Sequence, residues 1–212
     1  MRKVGQWFYV GIIMVLLASL LAACSGSSSG GNSGSSSSGN SGSSGGKTYR
    51  IAISQYVEHP SLDATREGFL QALKDAGLEE GKNLTVDYNN AQADSTNNLS
   101  IAQKIASDKN DLVLAIATPS ALSVAQAVKD TPVLFAAVTD PLSVNLVDSL
   151  EKPSGNVTGA ADFNPDSTKQ LMDFIVQFFP DVKTVGIIIN EGEENAVIMA
   201  NNAEEVLKGH GI

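Results

Sequence analysis

Residues 112–138 read LVLAIATPSALSVAQAVKDTPVLFAAV, and this stretch decides the fold. Leu112–Ile116 and Val133–Val138 are apolar along their whole length, which is typical of strands buried on both faces of a parallel sheet. Between them, Thr118-Pro119-Ser120 begins a helical stretch that runs to Lys129, with proline in the favoured first turn. The pattern predicts a β-α-β unit with a right-handed crossover.

The same alternation continues on both sides of this unit. Further strands are predicted at 49–54, 84–88 and 157–160, and further helices at 60–76, 95–107 and 143–150. The order is then β-α-β-α-β-α-β-α-β, which indicates a doubly wound α/β lobe. We assign this lobe to residues 47–160.

A second set of elements starts after Ala160. Pro165 leads a predicted helix, residues 183–189 form an apolar run typical of a buried strand, and 193–208 form a helix. We interpret 161–212 as the start of a second, similar lobe that is truncated, and the chain as a fragment. The alternative is that these last helices pack on the first sheet and extend it.

The N-terminal segment has the features of a lipoprotein signal. Arg2 and Lys3 precede an apolar stretch that closes in Leu21-Ala22-Ala23-Cys24, a lipobox-like sequence. We predict a signal peptide at 1–23, acylation of Cys24, and a flexible Ser/Gly/Asn tether over 24–46. The alternative is an uncleaved transmembrane anchor. Both place the rest of the chain on the extracytoplasmic face of the cell membrane.

Charge and cysteine content exclude several classes of function. Arg2 and Lys3 are the basic residues of the signal, so the mature chain would carry 12 Lys and Arg against 23 Asp and Glu, a net charge of −11. Nucleic-acid binding needs clustered positive charge, so no nucleic-acid partner is expected. With the single cysteine acylated, disulfides and thiolate metal sites are excluded as well.

Polar residues follow several predicted strands, where ligands bind in open α/β sheets. Thr118 and Ser120 offer hydroxyl groups at a helix start that favours an anion such as a carboxylate. Asp140 and Glu193 can accept hydrogen bonds from an ammonium group. Together these groups suit a zwitterion. Each also has an ordinary structural role as an N-cap, a turn former or a residue that complements the helix dipole.

Support for catalysis is weak. His59 lies in a strand-end loop beside Glu58, so a secreted enzyme that uses this pair is a minor alternative. The sequence has no Gly-x-Ser-x-Gly elbow, no His-Glu-x-x-His helix and no phosphate-binding Gly-x-x-x-x-Gly-Lys loop. We predict no enzyme activity, no metal and no cofactor.

Five stretches resemble a known family: EHPSLDATREGF at 58–69, ATPSA at 117–121, PVLFAAVTDP at 132–141, PSGNVTG at 153–159 and VGIIINEGEEN at 185–195. They are similar to the ABC-transporter substrate-binding lipoproteins of the type I periplasmic-binding-protein fold, in particular those that bind tryptophan and other aromatic amino acids. The last stretch departs from the family pattern, because Glu191 replaces a proline and Ala196 a serine.

The resemblance implies two lobes that close on a ligand about a hinge near 159–164. It also implies a small-molecule ligand, which we expect to be an amino acid, and an ABC permease with its ATPase as partners. Eight ligand contacts carry over by position: Gln55, Tyr56, Thr118, Ser120, Thr139, Asp140, Glu193 and Asn195. Tyr56 would stack on an aromatic ligand. A ligand-sensing ectodomain of the same fold, not coupled to transport, is the alternative function.

Overall fold

Five parallel strands form the centre of the structure, a computed structural model that describes residues 47–162, 164 and 166–212. The strands are β1 (Tyr49–Gln55), β2 (Leu84–Asn90), β3 (Leu112–Ile116), β4 (Val133–Val138) and β5 (Val157–Ala161). Their order across the sheet is β2-β1-β3-β4-β5. All four neighbouring pairs are parallel, which confirms the predicted doubly wound α/β fold.

The predicted signal peptide, the acylated Cys24 and the tether lie outside the described residues. Among the residues that are described, no helix is both long enough and apolar enough to span a membrane.

Helices follow each of the first three strands, and two more lie near the C-terminus. They are α1 (Pro60–Asp75), α2 (Ser95–Ser107), α3 (Thr118–Ala127), α4 (Ser167–Phe178) and α5 (Glu194–Gly209). The first two begin at side-chain caps: His59 Nδ1 accepts from the Ser61 amide at 3.3 Å, and Asp94 Oδ1 accepts from the Asn97 amide at 2.7 Å. Such caps satisfy amides that have no partner inside the helix.

The two faces of the sheet bury two separate clusters. Ile51 and Ile53 of β1 face α1, while Ala52 lies on the opposite face in the cluster that α2 and α3 cover. This alternation is the period of two that an extended strand imposes. Gly159 of β5 pairs with Phe135 of β4, and a Cβ at Gly159 would lie 2.1 Å from the Phe135 carbonyl oxygen. Glycine is therefore required at that position.

The helix predicted at 143–150 is wrong, because this segment forms turns. One turn begins at Asp140, whose carbonyl oxygen accepts from the Val144 amide at 3.2 Å. Asn145 then adopts a φ of 53°, a left-handed conformation that ends the helical path. Val144 and Leu146 are buried all the same, so the apolar pattern reported burial correctly but not the conformation.

The buried strand predicted at 183–189 is also wrong. The segment lies outside every strand, and Ile188 is fully exposed. A strand is stable where a neighbouring strand satisfies its amide and carbonyl groups. Among the described residues, none of the five strands pairs with this segment.

The C-terminal helices pack mainly on each other. Met172 of α4 and Ala203 and Leu207 of α5 form a third buried cluster. Ile198 of α5 also packs against the cluster that α2 and α3 cover, so α5 contacts the sheet-containing part of the chain. The division into a lobe at 47–160 and a second one at 161–212 stays a prediction.

We expect Ile53→Ala to lower the free energy of unfolding by about 2–5 kcal/mol, because it opens a cavity around a fully buried strand residue. The same substitution at the fully exposed Ile188 should change it by about 0.5 kcal/mol or less. Urea denaturation of both variants tests the assignment. Equal losses at the two positions would contradict it, since they would mean that 183–189 is buried.

Candidate functional site

The carboxyl ends of β1, β3 and β4 lie side by side at one edge of the sheet. The strand order reverses between β1 and β3, and open α/β sheets bind ligands beyond the strand ends at this reversal point. Several polar side chains at this edge are buried, which is costly unless they are hydrogen-bonded. Their partners therefore decide which of them remain available to a ligand.

Gln55, the last residue of β1, is fully buried and its amide group is engaged within the protein. Nε2 donates to the Val57 carbonyl oxygen and to Asp63 Oδ1, each at 2.9 Å, and Oε1 accepts from Arg66 at 3.2 Å. The Arg66 guanidinium in turn lies 4.4 Å from the centre of the Tyr88 ring. Gln55 thus fixes the loop after β1 to the start of α1.

Ser54, Ser120 and Asn98 form a buried polar network between β1, α3 and α2. Ser54 Oγ donates to Ser120 Oγ at 3.4 Å, and Ser120 Oγ donates to Asn98 Oδ1 at 3.0 Å. Asn98 Nδ2 donates to the Pro119 carbonyl oxygen at 2.9 Å and to Ser123 Oγ at 2.8 Å. The side chain of Ser120 is therefore directed into the protein.

The start of α3 combines a buried hydroxyl group with a strained residue. Thr118 is buried, and its Oγ1 accepts from the Thr139 amide at 3.4 Å, which links α3 to the loop after β4. Ala117, the N-cap residue, has φ 75° and ψ 154°, a conformation that glycine adopts easily and other residues do not. Strain of this kind commonly accompanies binding sites.

Tyr56 lies in the loop after β1 and is 7% exposed. Its hydroxyl group donates to the Ala93 carbonyl oxygen at 3.2 Å. Burial raises the pKa of the Tyr56 phenol, and the negative charges of Glu193 and Asp94 raise it further. Glu193, at the start of α5, is therefore close enough to Tyr56 to influence its ionisation.

Asp140 follows β4 and organises the turn after it. Oδ1 accepts from the Leu142 amide at 3.2 Å and from the Ser143 amide at 3.0 Å, while Oδ2 accepts from the Ser143 hydroxyl group at 2.5 Å. The turn-forming role considered for this residue is thus present. Asp140 also belongs to the wall of a cavity.

The loop before α5 holds Glu193 at the helix start. Asn190 Nδ2 donates to Glu193 Oε1 at 3.0 Å, and Asn190 Oδ1 accepts from the Gly192 amide at 3.0 Å. Two residues beyond Glu193, the Oδ1 atom of Asn195 is buried and, among the described residues, has no hydrogen-bond partner. A buried acceptor without a donor is costly, so this oxygen marks a place where a donor is needed.

Asn195 lines two cavities. The first, which we call the β4 cavity, has a volume of about 320 Å³ and lies between the end of β4, the segment after β5, and α4 and α5. Its walls are Thr139, Asp140, Val144, Asp162, Asn164, Ser167, Thr168, Asn195, Ile198, Met199 and Asn202.

The second, which we call the Tyr56 cavity, has a volume of about 200 Å³ and lies between the loop after β1, the starts of α2 and α3, and the start of α5. Its walls are Tyr56, Ser95, Asn98, Pro119, Leu122, Ser123, Gly192, Glu193, Glu194 and Asn195.

The walls of both cavities are acidic. Asp140 and Asp162 line the β4 cavity, and Glu193 and Glu194 line the Tyr56 cavity. Among the described residues, no Lys, Arg or His side chain belongs to either wall. The helix dipoles of α3 and α5 supply partial positive charge at the Tyr56 cavity instead. A molecule with an ammonium group and a small anionic group complements this arrangement.

The eight predicted contact residues fall into two groups. Tyr56, Thr139, Asp140, Glu193 and Asn195 line the two cavities, whereas Gln55, Thr118 and Ser120 are buried and belong to neither wall. Sequence reasoning missed several wall residues, including Asn98, Asp162, Asn164 and Asn202. Asp162 and Asn164 follow β5 and could have been found by the rule applied to the other strands. Asn202 lies two helical turns after Asn195, on the same face of α5.

A third groove of about 560 Å³ lies beside the loop after β1. Glu58 lines it, together with Arg66 and Tyr88. The adjacent His59 is the N-cap of α1 and uses its Nδ1 as an acceptor there. Within the described ranges, no group of three or more His, Cys, Asp or Glu residues could hold a metal ion.

The chain is similar in sequence to known binding proteins. A family model described as ABC transporter substrate binding protein matches residues 50–212. A tyrosine-binding protein of Clostridioides difficile (strain R20291) is 40% identical over 207 residues, which cover 98% of this chain and 57% of that protein. The chain thus spans little more than half the length of this relative.

Two solved structures are similar in both sequence and fold. A conserved domain protein from Vibrio cholerae O1 biovar El Tor is 43% identical with a TM-score of 0.71, over 78% of this chain and 55% of that one. An ABC domain from Streptococcus pneumonia in complex with L-Trp is 35% identical with a TM-score of 0.70, over the same shares of the two chains.

We expect Tyr56→Phe to lower the free energy of unfolding by about 0.5–1.5 kcal/mol near neutral pH, because it removes the hydrogen bond to Ala93. A phenol whose pKa is raised by folding stabilises the folded chain fully below its ordinary value of 10.0, and this contribution is lost as the pH rises through the raised pKa. The advantage of the wild type over Tyr56→Phe should therefore shrink above pH 10.0. Urea denaturation of both proteins across this pH range measures the difference in their free energies of unfolding. A difference that stays constant with pH would contradict the raised pKa of Tyr56.

We expect Ala117→Gly to raise the free energy of unfolding by about 1 kcal/mol, because relief of the backbone strain outweighs the added freedom of the unfolded chain. The matched control is Ala121→Gly inside α3, where glycine should be destabilising by about 1 kcal/mol. If Ala117 is strained, thermal unfolding should show a higher stability for Ala117→Gly and a lower stability for Ala121→Gly. A loss of stability at both positions would contradict the strain.

Proposed function

The chain belongs to the ABC transporter substrate-binding protein family, and on that basis we propose that it is the extracytoplasmic solute-binding component of an ABC importer. We propose further that it binds a single amino acid, with aromatic ones favoured, in the cleft formed by the β4 and Tyr56 cavities. A relative that is a tyrosine-binding protein and a similar structure in complex with L-Trp support this class of ligand.

The unsatisfied Asn195 oxygen is the observation that carries the proposal. Asn195 lines both cavities, its Oδ1 atom is buried, and no donor from the described residues reaches that atom. An ammonium group would supply the missing donor and would gain from the nearby carboxylates of Asp140 and Asp162. Binding would thus remove an energetic cost that the ligand-free protein bears.

The remaining groups of an aromatic amino acid also find complementary surroundings. A carboxylate is favoured near the starts of α3 and α5, where helix dipoles and amide groups supply partial positive charge. The apolar side chains of Leu122, Ile198 and Met199, with the Tyr56 ring, supply surface for the ligand side chain. An acidic ligand would meet four wall carboxylates and should be rejected.

Ligand binding would work by hinge closure. The loops after β1, β3 and β4 belong to the predicted lobe at 47–160, whereas Asn195 and Glu193 belong to 161–212. A ligand that contacts both parts favours the conformation in which they are close, by its difference in affinity for the closed and open forms. The pivot that we propose lies near 159–164. The closed form would then be recognised by the permease, which is coupled to its ATPase.

The lipid anchor is part of the proposal. The lipobox-like sequence that ends in Cys24 supports acylation at this residue, which would hold the protein at the extracytoplasmic face of the cell membrane. The Ser/Gly/Asn-rich segment 25–46 would let the binding domain move relative to the membrane.

We propose that the protein is not an enzyme. The solute-binding character of its relatives supports this. The His59 ring, considered as a base together with Glu58, accepts a hydrogen bond from the Ser61 amide as the cap of α1. Neither Glu58 nor His59 belongs to the walls of the two cavities.

The test is isothermal titration calorimetry of the chain with L-Tyr, L-Trp and L-Glu. We expect the two aromatic amino acids to bind and L-Glu not to bind. Asn195→Leu, which removes the acceptor at similar size, should weaken binding of the aromatic ligands by about tenfold or more, the effect of losing one charge-assisted hydrogen bond. Asn201→Leu is the matched control on an exposed position of the same helix and should bind as the wild type does.

Tight binding of L-Glu would contradict the charge argument. Equal affinities of the Asn195→Leu and Asn201→Leu variants would remove Asn195 from the site. If neither aromatic amino acid binds, the proposed ligand class is wrong.

A further inference from the structure

We propose that Asn98 is a positioning residue for the ligand cleft, because it holds the first turn of α3 in the conformation that forms one wall of the Tyr56 cavity. This inference rests on the proposed function for its ligand, but the anchoring itself can be measured without one.

The side chain of Asn98 connects α2 to α3. It is 4% exposed, and it makes three hydrogen bonds to the first six residues of α3: two from Nδ2, to the Pro119 carbonyl oxygen and Ser123 Oγ, and one to Oδ1, from Ser120 Oγ. Ser120 is also in contact with Ser54 of β1. A single amide thus ties the start of α3 to the helix beside it.

The start of α3 needs such an anchor because it lacks the local caps of the two helices before it. Asp94 caps α2 and His59 caps α1, each through its own side chain. The N-cap of α3 is Ala117, which has no side chain that could accept a hydrogen bond and holds an unfavourable backbone conformation. Pro119, the second residue of α3, has no amide hydrogen. Asn98 supplies from α2 the restraint that a cap would otherwise give.

The anchored turn is part of the proposed site. Pro119 and Ser123, both partners of Asn98, line the Tyr56 cavity together with Asn98 itself. A shift of this turn would therefore change the shape of the wall, even if the sheet and the rest of α3 stayed in place. Preorganised walls raise affinity because less ordering is needed on binding.

The decisive variant is Asn98→Asp, which keeps the shape and the acceptor for Ser120. Near pH 7 the carboxylate cannot donate to the Pro119 carbonyl oxygen, whereas a protonated carboxyl group can donate one hydrogen bond. Burial beside a carbonyl oxygen favours the protonated form. We expect affinity for L-Tyr, measured by calorimetry, to fall about tenfold at about pH 7 and to recover partly at about pH 5.

The matched control is Asn97→Asp, which adds the same charge one residue away on an exposed position of α2. Tyr56, Glu193 and Glu194 share the cavity, and Asp94 lies at the start of α2. All four groups are present in every variant, so the wild type and Asn97→Asp report their contribution to the pH dependence. Both should bind L-Tyr with similar affinity at each pH.

Hydrogen exchange provides a readout that needs no ligand. At one fixed pH near 7, the amides of residues 117–123 other than Pro119 should exchange faster in Asn98→Asp than in the wild type, while those of α1 should not change. If circular dichroism shows that Asn98→Asp is unfolded, Ser123→Ala replaces it. That variant removes one of the two acceptors of Asn98 Nδ2. It should raise the amide exchange rate of the same residues, but by less than Asn98→Asp would.

The outcomes separate the two proposals. Unchanged affinity of Asn98→Asp at both pH values, or a loss that does not respond to pH, refutes the positioning role. Unchanged exchange at residues 117–123 refutes it as well. If the wild type binds no aromatic amino acid, the proposed function is wrong, while faster exchange in Asn98→Asp would still establish that Asn98 holds α3.

Discussion

Parallel pairing of β1 with β2 on one side and β3 on the other is the constraint on which the rest of the structure depends. The register runs from Tyr49 to Gln55 against β2 and from Ile51 to Gln55 against β3. Because the strands are parallel, their carboxyl ends must meet at one edge, and the chain must cross back over a face of the sheet between consecutive strands; from β1 to β4 it does so through α1, α2 and α3. The starts of α1, α2 and α3 are thereby brought to the same edge as the polar strand ends. A cleft with several helix starts in its walls follows from this geometry.

The buried polar groups at the carboxyl ends of the strands are hydrogen-bonded within the protein. Gln55, Ser54, Ser120 and Asn98 lie where an apolar core would be cheaper, yet each has partners in neighbouring elements. Satisfied networks of this kind rigidify a region, because each bond is directional and costly to lose in a low dielectric. Asn195 differs, since its buried oxygen has no donor among the described residues. The buried network is thus rigid, whereas the unmet hydrogen bond belongs to a residue that lines both cavities.

The walls of the cleft are acidic, as is the chain as a whole, but the negative and positive contributions come from different elements. Carboxylates from the loop after β4, from the segment after β5 and from the start of α5 line the walls. The positive contribution comes from the backbone of α3 and α5. This arrangement complements an ammonium group at the side chains and a carboxylate at the helix ends, as the proposed function requires. The strain at Ala117 lies at the same place, which fits a backbone shaped by the site more than by local preference.

Much of the fold and of the candidate site could be predicted from the sequence. Apolar runs such as 112–116 and 133–138 indicate buried strands, and polar residues at the ends of the strands indicate the edge of the sheet where ligands bind. Asp140 and Glu193 are predicted in this way, whereas Tyr56, Thr139 and Asn195 come from the family resemblance. All five line the two cavities, and their role as ligand contacts stays a prediction. The segment 183–189 was assigned wrongly, since a run of apolar residues reports a tendency to be buried but not whether a neighbouring backbone is there to pair with it. Asn98 escaped notice for a related reason. Its partners in α3 lie 21 to 25 positions away along the chain, and nothing in the local pattern of α2 distinguishes an asparagine that faces solvent from one that anchors another helix. That distinction arises only when α2 packs on α3, because a hydrogen bond depends on distances that folding creates.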